Sequence, residues 1–150
     1  MEQSTGSASH NAGQLRVLMV LPDPIVVWNA AREVFDPMRR PEILAPAGDR
    51  DALAAALAAG ADAVYFGLDD GFNARARAAN FPSTGLAEVV AWIHRAGARA
   101  YVTLNTLVFE PELAVVETLI RRVAAAGVDA IIVQDPAVAR LARVISPEAP

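Results

Sequence analysis

"PEILAPAGDRDALAAALAAGADAVYFG", residues 41–67, decides the fold. A short apolar run, "EILA", gives way to "PAGD", then to an alanine- and leucine-rich stretch ending at Gly60, then to a second apolar run, "AVYF". The order is strand, turn, helix, turn, strand. Asp49, directly after Gly48, is a residue type that caps a helix start, and Gly60 stands where a helix end favours a left-handed residue. The runs are apolar on both faces, as in a parallel sheet covered by helices.

Working outward, the same unit recurs. "AAGADAVYFG" (58–67), "RAGARAYVTLN" (95–105) and "AAGVDAIIVQD" (125–135) each pass from a helix end through a glycine into an apolar strand. Between them, Leu86, Val89, Val90 and Ile93 form one apolar helical stripe, and Leu113, Val116, Ile120 and Val123 are expected to form another. Glu110 before Pro111 and Asp135 before Pro136 have the cap-then-proline order of a first helical turn. Strands are expected near Glu42–Ala45, Ala63–Phe66, Ala100–Leu104 and Ala130–Val133. The fold class is therefore α/β, with about four parallel (β/α) units. No GxGxxG follows the first strand, so the N-terminal half of a TIM-type barrel is favoured over an open dinucleotide-binding sheet. Four units leave strands at both edges unpaired, and the chain stops at "VISPEAP", where a fifth strand would begin. Truncation is the simpler reading, and self-association through the open edges is an expected alternative.

Upstream of Met38 the pattern fades. "MEQSTGSASHNAGQ" is polar, the apolar patch "LRVLMVLPDPIVVW" is broken by Pro22, Asp23 and Pro24, and "NAAREVF" offers at most a helical turn. Residues 1–37 read as a disordered or spurious extension, with Met38 as the natural start and 38–150 as the barrel portion.

Composition removes several chemistries. The 150 residues are 54% hydrophobic with a net charge of −4. All thirteen basic residues are arginine, so Schiff-base lysines and phosphate-loop lysines are excluded. No cysteine is present, which removes disulfides, thiolate nucleophiles and iron–sulfur ligation from this polypeptide and fits a cytoplasmic protein. No apolar run is long enough to span a bilayer, and no metal-binding spacing such as HExxH or serine-protease triad stands out.

"PEILAPAGDRDALAAALAAGADAVYFGL", "FNARARAANF", "AYVTLNTLVFEPEL" and "AGVDAIIVQDPAVARLAR", in that order, resemble the N-terminal part of the collagenase-like peptidase family, the U-thirty-two peptidases. The resemblance runs from about Met38 to the last residue. It implies a TIM-type barrel in the intact family and a peptidase activity, hence a hydrolase, with a peptide as substrate. Other members of the same family imply oxygen-independent hydroxylation of a tRNA or rRNA base, or of the ubiquinone ring, so RNA is the alternative substrate. A non-catalytic half-barrel that needs a partner is a further alternative. The resemblance also implies an iron–sulfur cluster in intact hydroxylating members, whose cysteine-rich signature lies downstream, so no cofactor is expected within this chain.

In a barrel of this type the loops after the strands form the active face. That makes Asp62, Arg99 and Asp129, just before their strands, structural charges at the opposite end, and it makes Tyr65 and Phe66 core residues. His94, near the end of its helix, reads as a helix-end residue favoured by the dipole rather than as a general base. The catalytic residues stay unassigned. Candidates for substrate binding are Gly48, whose helix-start amides form an anion cradle in principle, and Asn73, Arg75, Arg77 and Asn80 in the loop "GLDDGFNARARAANF" (67–81). Asn105, Gln134 and Asp135 complete the set. Arg75 and Arg77 suit a carboxylate or phosphate; the bland reading pairs them with Asp69 and Asp70. Asn105 either holds a polar substrate group or bonds its own loop, and Asp135 is either a helix cap or an acid, base or metal ligand.

Overall fold

The computed structural model describes residues 15–19, 41–74 and 79–147. The strands are β1 (Arg16–Met19), β2 (Leu44–Pro46), β3 (Ala63–Gly67), β4 (Arg99–Leu104) and β5 (Ala130–Val133), and the helices are α1 (Arg50–Ala58), α2 (Leu86–Arg95), α3 (Leu113–Ala125) and α4 (Pro136–Ile145). All strand pairs are parallel, in the order β1-β5-β4-β3-β2, and the sheet does not close on itself.

The helix boundaries follow their chemistry. The Asp49 side chain accepts from the Ala52 N–H at 2.8 Å and starts α1. Gly60, Gly97 and Gly127 take φ of 80°, 78° and 77°, which a residue with a Cβ adopts only under strain. α2 buries Leu86, Val89, Val90 and Ile93, the stripe expected from the sequence. On α3 the stripe is instead Val116, Leu119, Ile120 and Val123, and Leu113 is exposed. The reason lies at its start. Glu110 does not cap α3; it opens a 3-10 turn, Glu110–Glu112, in which Glu112 Oε2 accepts from the Phe109 N–H at 2.8 Å. The helix proper therefore begins two residues later than the proline suggests, at Leu113.

Alternation along the strands separates two faces. Val64, Phe66, Ala100, Val102, Leu104, Ile131 and Val133 pack with the helices into the main core. Ala63, Tyr101 and Ala130 form a smaller cluster on the other face, flanked by Tyr65 and Ile132. In parallel register Tyr65 stands beside Tyr101, and Tyr101 beside Ala130. The bulky phenol covers two alanines.

The sequence predicts four strands and two bare edges. One edge is not bare: β1, from within the stretch 1–37 expected to be an extension, pairs with β5 over four residues. The rest of 1–37, including the "NAAREVF" turn and the proposed start at Met38, lies outside the described residues.

The charges before the strands tie the bottom of the sheet together. Asp62 Oδ2 accepts from the Ile43 N–H at 2.8 Å, and Asp129 Oδ2 accepts from the Ala100 N–H at 2.7 Å. Arg99, expected just before its strand, is instead the first residue of β4, and it pairs with Glu42. His94 Nε2 lies 2.8 Å from Asp129 Oδ2, so α2 is pinned to the same carboxylate. Among the described residues, no helix is long and apolar enough to cross a membrane.

Burial raises the Tyr101 phenol above its ordinary pKa of 10.0, and the Arg99 guanidinium 5.9 Å from the ring centroid partly offsets that. An acid whose folded pKa is raised gives its full stabilisation below the unfolded pKa and loses it as pH rises through the folded value. Urea unfolding of the wild type from about pH 9 to about pH 11 should show stability falling, and Tyr101→Phe should flatten that fall. An identical alkaline limb in both proteins would remove Tyr101 as its cause.

Candidate functional site

The loop after β3 is held by its own polar groups. Leu68 bridges to Phe81 in parallel, the Phe81 N–H donates to the Gly67 carbonyl at 3.0 Å, and the Phe81 ring meets Phe66 edge-on at 5.2 Å. Inside the loop Asn73 is 4% exposed, and its Nδ2 donates to the Leu68 carbonyl at 2.7 Å. Across to the next strand, Asn105 Oδ1 accepts from the Ala74 N–H at 3.0 Å.

These ties enclose a cavity of about 330 Å³ at the C-terminal ends of β2, β3 and β4. Its wall includes Pro46, Gly48, Tyr65, Gly67, Asn73, Asn80, Thr103 and Asn105. The volume is within the range of small-ligand sites. Hydrogen-bonding capacity comes from three carboxamides, a threonine hydroxyl, a phenol and backbone groups, and among the described residues no charged side chain is in the lining. Gly67 makes the arrangement fit: a Cβ there would lie 2.7 Å from Asn80 Oδ1 and 2.9 Å from Asn73 Cγ. Gly48 also stands close to the loop, with 3.4 Å between a built Cβ and the Ala79 carbonyl oxygen.

Of the residues singled out from sequence, the fold brings Gly48, Asn73, Asn80 and Asn105 together in this wall. Arg75 and Arg77 lie outside the described residues. Asp69 and Asp70, their expected partners in the bland reading, have other contacts: Asp69 Oδ1 accepts from the Ser83 N–H at 3.0 Å, and Asp70 sits 3.7 Å from the Arg122 guanidinium. Gln134 is exposed just after β5 and is not part of the wall.

Asp135 caps α4 through Oδ1, which accepts from the Ala137 N–H at 2.8 Å, while Oδ2 accepts from the Val108 N–H at 3.1 Å. Both oxygens hold backbone. At the Gly48 helix start, Asp49 supplies its own carboxylate to the first-turn amide, where an external anion would otherwise sit.

Sequence reasoning missed Tyr65, which it assigned to the core, and it missed Thr103 and Gly67. The signal was there: on a strand, residues two apart share a face, so Tyr65 and Gly67 both point away from the side that buries Val64 and Phe66. Among the described residues, no group of three or more His, Asp and Glu side chains is placed to hold a metal. With no cysteine anywhere in the chain, these residues do not fit an iron–sulfur cluster.

A polar cavity walled by the loops after the strands of a parallel α/β sheet lies where such folds commonly bind ligands. The family follows from the comparisons: residues 48–150 match the model of Peptidase family U32, and the chain belongs to that family. It is 44% identical over 102 residues to the 23S rRNA 5-hydroxycytidine C2501 synthase of Escherichia coli, covering 68% of this chain and 15% of that protein. It is 38% identical over 108 residues to the collagenase of Porphyromonas gingivalis, covering 71% of this chain and 26% of that protein. It is 35% identical over 109 residues to tRNA hydroxylation protein P1 of Bacillus subtilis, covering 73% and 26% respectively. The chain thus spans about a quarter or less of the length of these relatives. No solved structure matches it.

Gly67→Ala should leave the core intact but displace Asn73 and Asn80, at a cost of about 1–3 kcal/mol. Amide chemical shifts should change at Gly67, Asn73, Asn80 and Asn105, with those of α3 and α4 unmoved. Unchanged shifts around the cavity would show that the two carboxamides do not depend on the missing Cβ.

Proposed function

We propose that this chain forms the substrate-binding part of a U32-family enzyme, built as the N-terminal portion of a barrel, and that the group it receives is amide-like. The supporting observation is the cavity of about 330 Å³ into whose wall the fold brings three carboxamides, Asn73, Asn80 and Asn105. Carboxamides donate and accept in pairs, matching a partner that presents both a carbonyl and an N–H. A peptide linkage is such a partner, which gives the hydrolase reading carried by the family's title and by the collagenase relative. In this reading the chain orients the linkage, and the bond-breaking groups belong to the remainder of the enzyme. Any cluster or metal used by the whole enzyme is likewise ligated elsewhere.

One observation favours a second reading, RNA-base modification. Tyr65 adds a phenol ring to the carboxamide wall, and an aromatic face beside hydrogen-bonding edges is how proteins hold unstacked bases. The rRNA and tRNA hydroxylation relatives carry the same implication.

Titrating the chain with cytidine and, separately, with a short end-capped neutral peptide distinguishes the two. Saturable amide shifts at Gly67, Thr103 and Asn105 with the peptide support the hydrolase reading, and the same shifts with cytidine support base modification. Asn105→Ala should weaken whichever binds by about tenfold, the effect of losing one hydrogen bond of about 1.4 kcal/mol. If neither ligand moves these resonances, the cavity is not the substrate site.

A further inference from the structure

Two hydrogen bonds fix the polarity of the cavity wall. Asn105, just past the end of β4, accepts from the Ala74 N–H through Oδ1 at 3.0 Å. A backbone N–H is met only by an acceptor, so this contact settles which end of the carboxamide is oxygen and which is nitrogen. Nδ2 keeps both its hydrogens, and among the described residues nothing accepts them. Among those residues no buried side-chain nitrogen or oxygen lacks a partner, so Nδ2 is open to solvent, and Asn105 lines the cavity.

Thr103, two residues earlier, is committed the other way. Its hydroxyl donates to the Phe66 carbonyl at 3.2 Å, and a carbonyl can only accept. The single hydrogen is spent there, so what Thr103 offers the cavity is lone pairs alone. The wall thus holds a donor at Asn105 and an acceptor at Thr103, each set by a backbone group and not by the ligand.

Tyr65 stands two residues before Gly67, the register partner of Thr103, and both line the cavity. A ring face beside a fixed donor and a fixed acceptor suits a flat heterocycle that carries an acceptor and an N–H on one edge. Cytosine is such a base: its amino group donates, and the ring nitrogen beside it accepts. We propose that Asn105 and Thr103 are the specificity-determining pair of the cavity, Asn105 Nδ2 donating to the acceptor of a pyrimidine edge and Thr103 Oγ1 accepting from its N–H. Both roles rest on the base-modification reading of this cavity, and they add the direction in which the base lies. A base turned over would set donor against donor and acceptor against acceptor, leaving polar groups unpaired on both sides.

Cytidine titrated into the intact chain and followed by amide shifts tests the pair. Asn105→Asp keeps an oxygen for the Ala74 N–H and exchanges the donor for an acceptor, so it should weaken cytidine by about tenfold while the Ala74 amide stays protected from hydrogen exchange. Replacing both amino hydrogens of cytidine by methyl groups should weaken binding to the wild type by about tenfold as well. In Thr103→Val that gap between the two nucleosides should close, and in Thr103→Ser it should return. A merely structural role for Thr103 would weaken both nucleosides alike and leave the gap in place, which overturns the assignment. Loss of cytidine together with loss of Ala74 protection puts the role of Asn105 in the loop and overturns it too. If cytidine binds the wild type and all variants equally, the pair is wrong and the cavity remains the substrate site. If only the end-capped peptide binds, the base edge is not the occupant, and if neither ligand binds, the reading of the cavity itself fails.

Discussion

The register between β3 and β4 is the constraint on which the rest depends. Ala63 lies beside Arg99, Tyr65 beside Tyr101 and Gly67 beside Thr103, so a shift of one residue would turn every one of these side chains to the opposite face. In the observed register Val64 and Phe66 meet Ala100 and Val102 under the helices, and Tyr65, Gly67 and Thr103 come together at the cavity. Hydrophobic burial is the dominant force fixing this choice. A fully buried valine or phenylalanine contributes about 1.5–3 kcal/mol, more than a net hydrogen bond of about 1 kcal/mol. The cavity is therefore positioned by the core behind it, before any polar contact is made.

Polar side chains then fasten the ends of the sheet. At the strand starts, Asp62 receives the N–H of Ile43, just before β2, and Asp129 receives that of Ala100 in β4. At the strand ends, Asp69, Asn105 and Asp135 receive N–H groups of Ser83, Ala74 and Val108, each from another part of the chain. At the strand ends the amides held belong to loops and to a 3-10 turn, and in each case a short acidic or amide side chain satisfies a backbone N–H that no ladder pairs. Loops that would otherwise open cost-free are held against the sheet, which keeps the cavity walls in place.

Much of this was legible in the sequence, because the repeated helix–glycine–strand unit carries three independent signals: a stripe of period 3.6, a left-handed glycine and a doubly apolar run. Gly60, Gly97 and Gly127 and the α2 stripe appear where those signals put them. The start of α3 was read wrongly because Pro111 fits the first turn of a 3-10 segment as well as that of an α-helix, and what separates the two is the backbone bond from the Glu112 N–H to the Phe109 carbonyl, which the sequence does not show. β1 escaped because its four residues are too few to show a period, and their pairing partner lies more than a hundred residues away. In the site, Asn73, Asn80 and Asn105 were legible as amides on strand-end loops. The role of Gly67 was not, since it depends on side chains that fold back over it from six and thirteen residues downstream.

The distribution of acids across the described face separates holding from reacting. An acid or base must have a proton-exchanging oxygen facing the substrate. Asp49, Asp69 and Asp135 all follow strands, yet each directs a carboxylate at a backbone amide, and none of them lines the cavity. Among the described residues, what does line it with polar side chains is carboxamide, hydroxyl and phenol, groups that fix an orientation at neutral pH without changing charge. A wall of that kind lowers the entropy of a bound polar group and aligns it for chemistry supplied from another direction. Among the described residues, Tyr65 and Tyr101 stand on the face of the sheet opposite the main core, so the phenol of the wall belongs to the face that the helices leave uncovered.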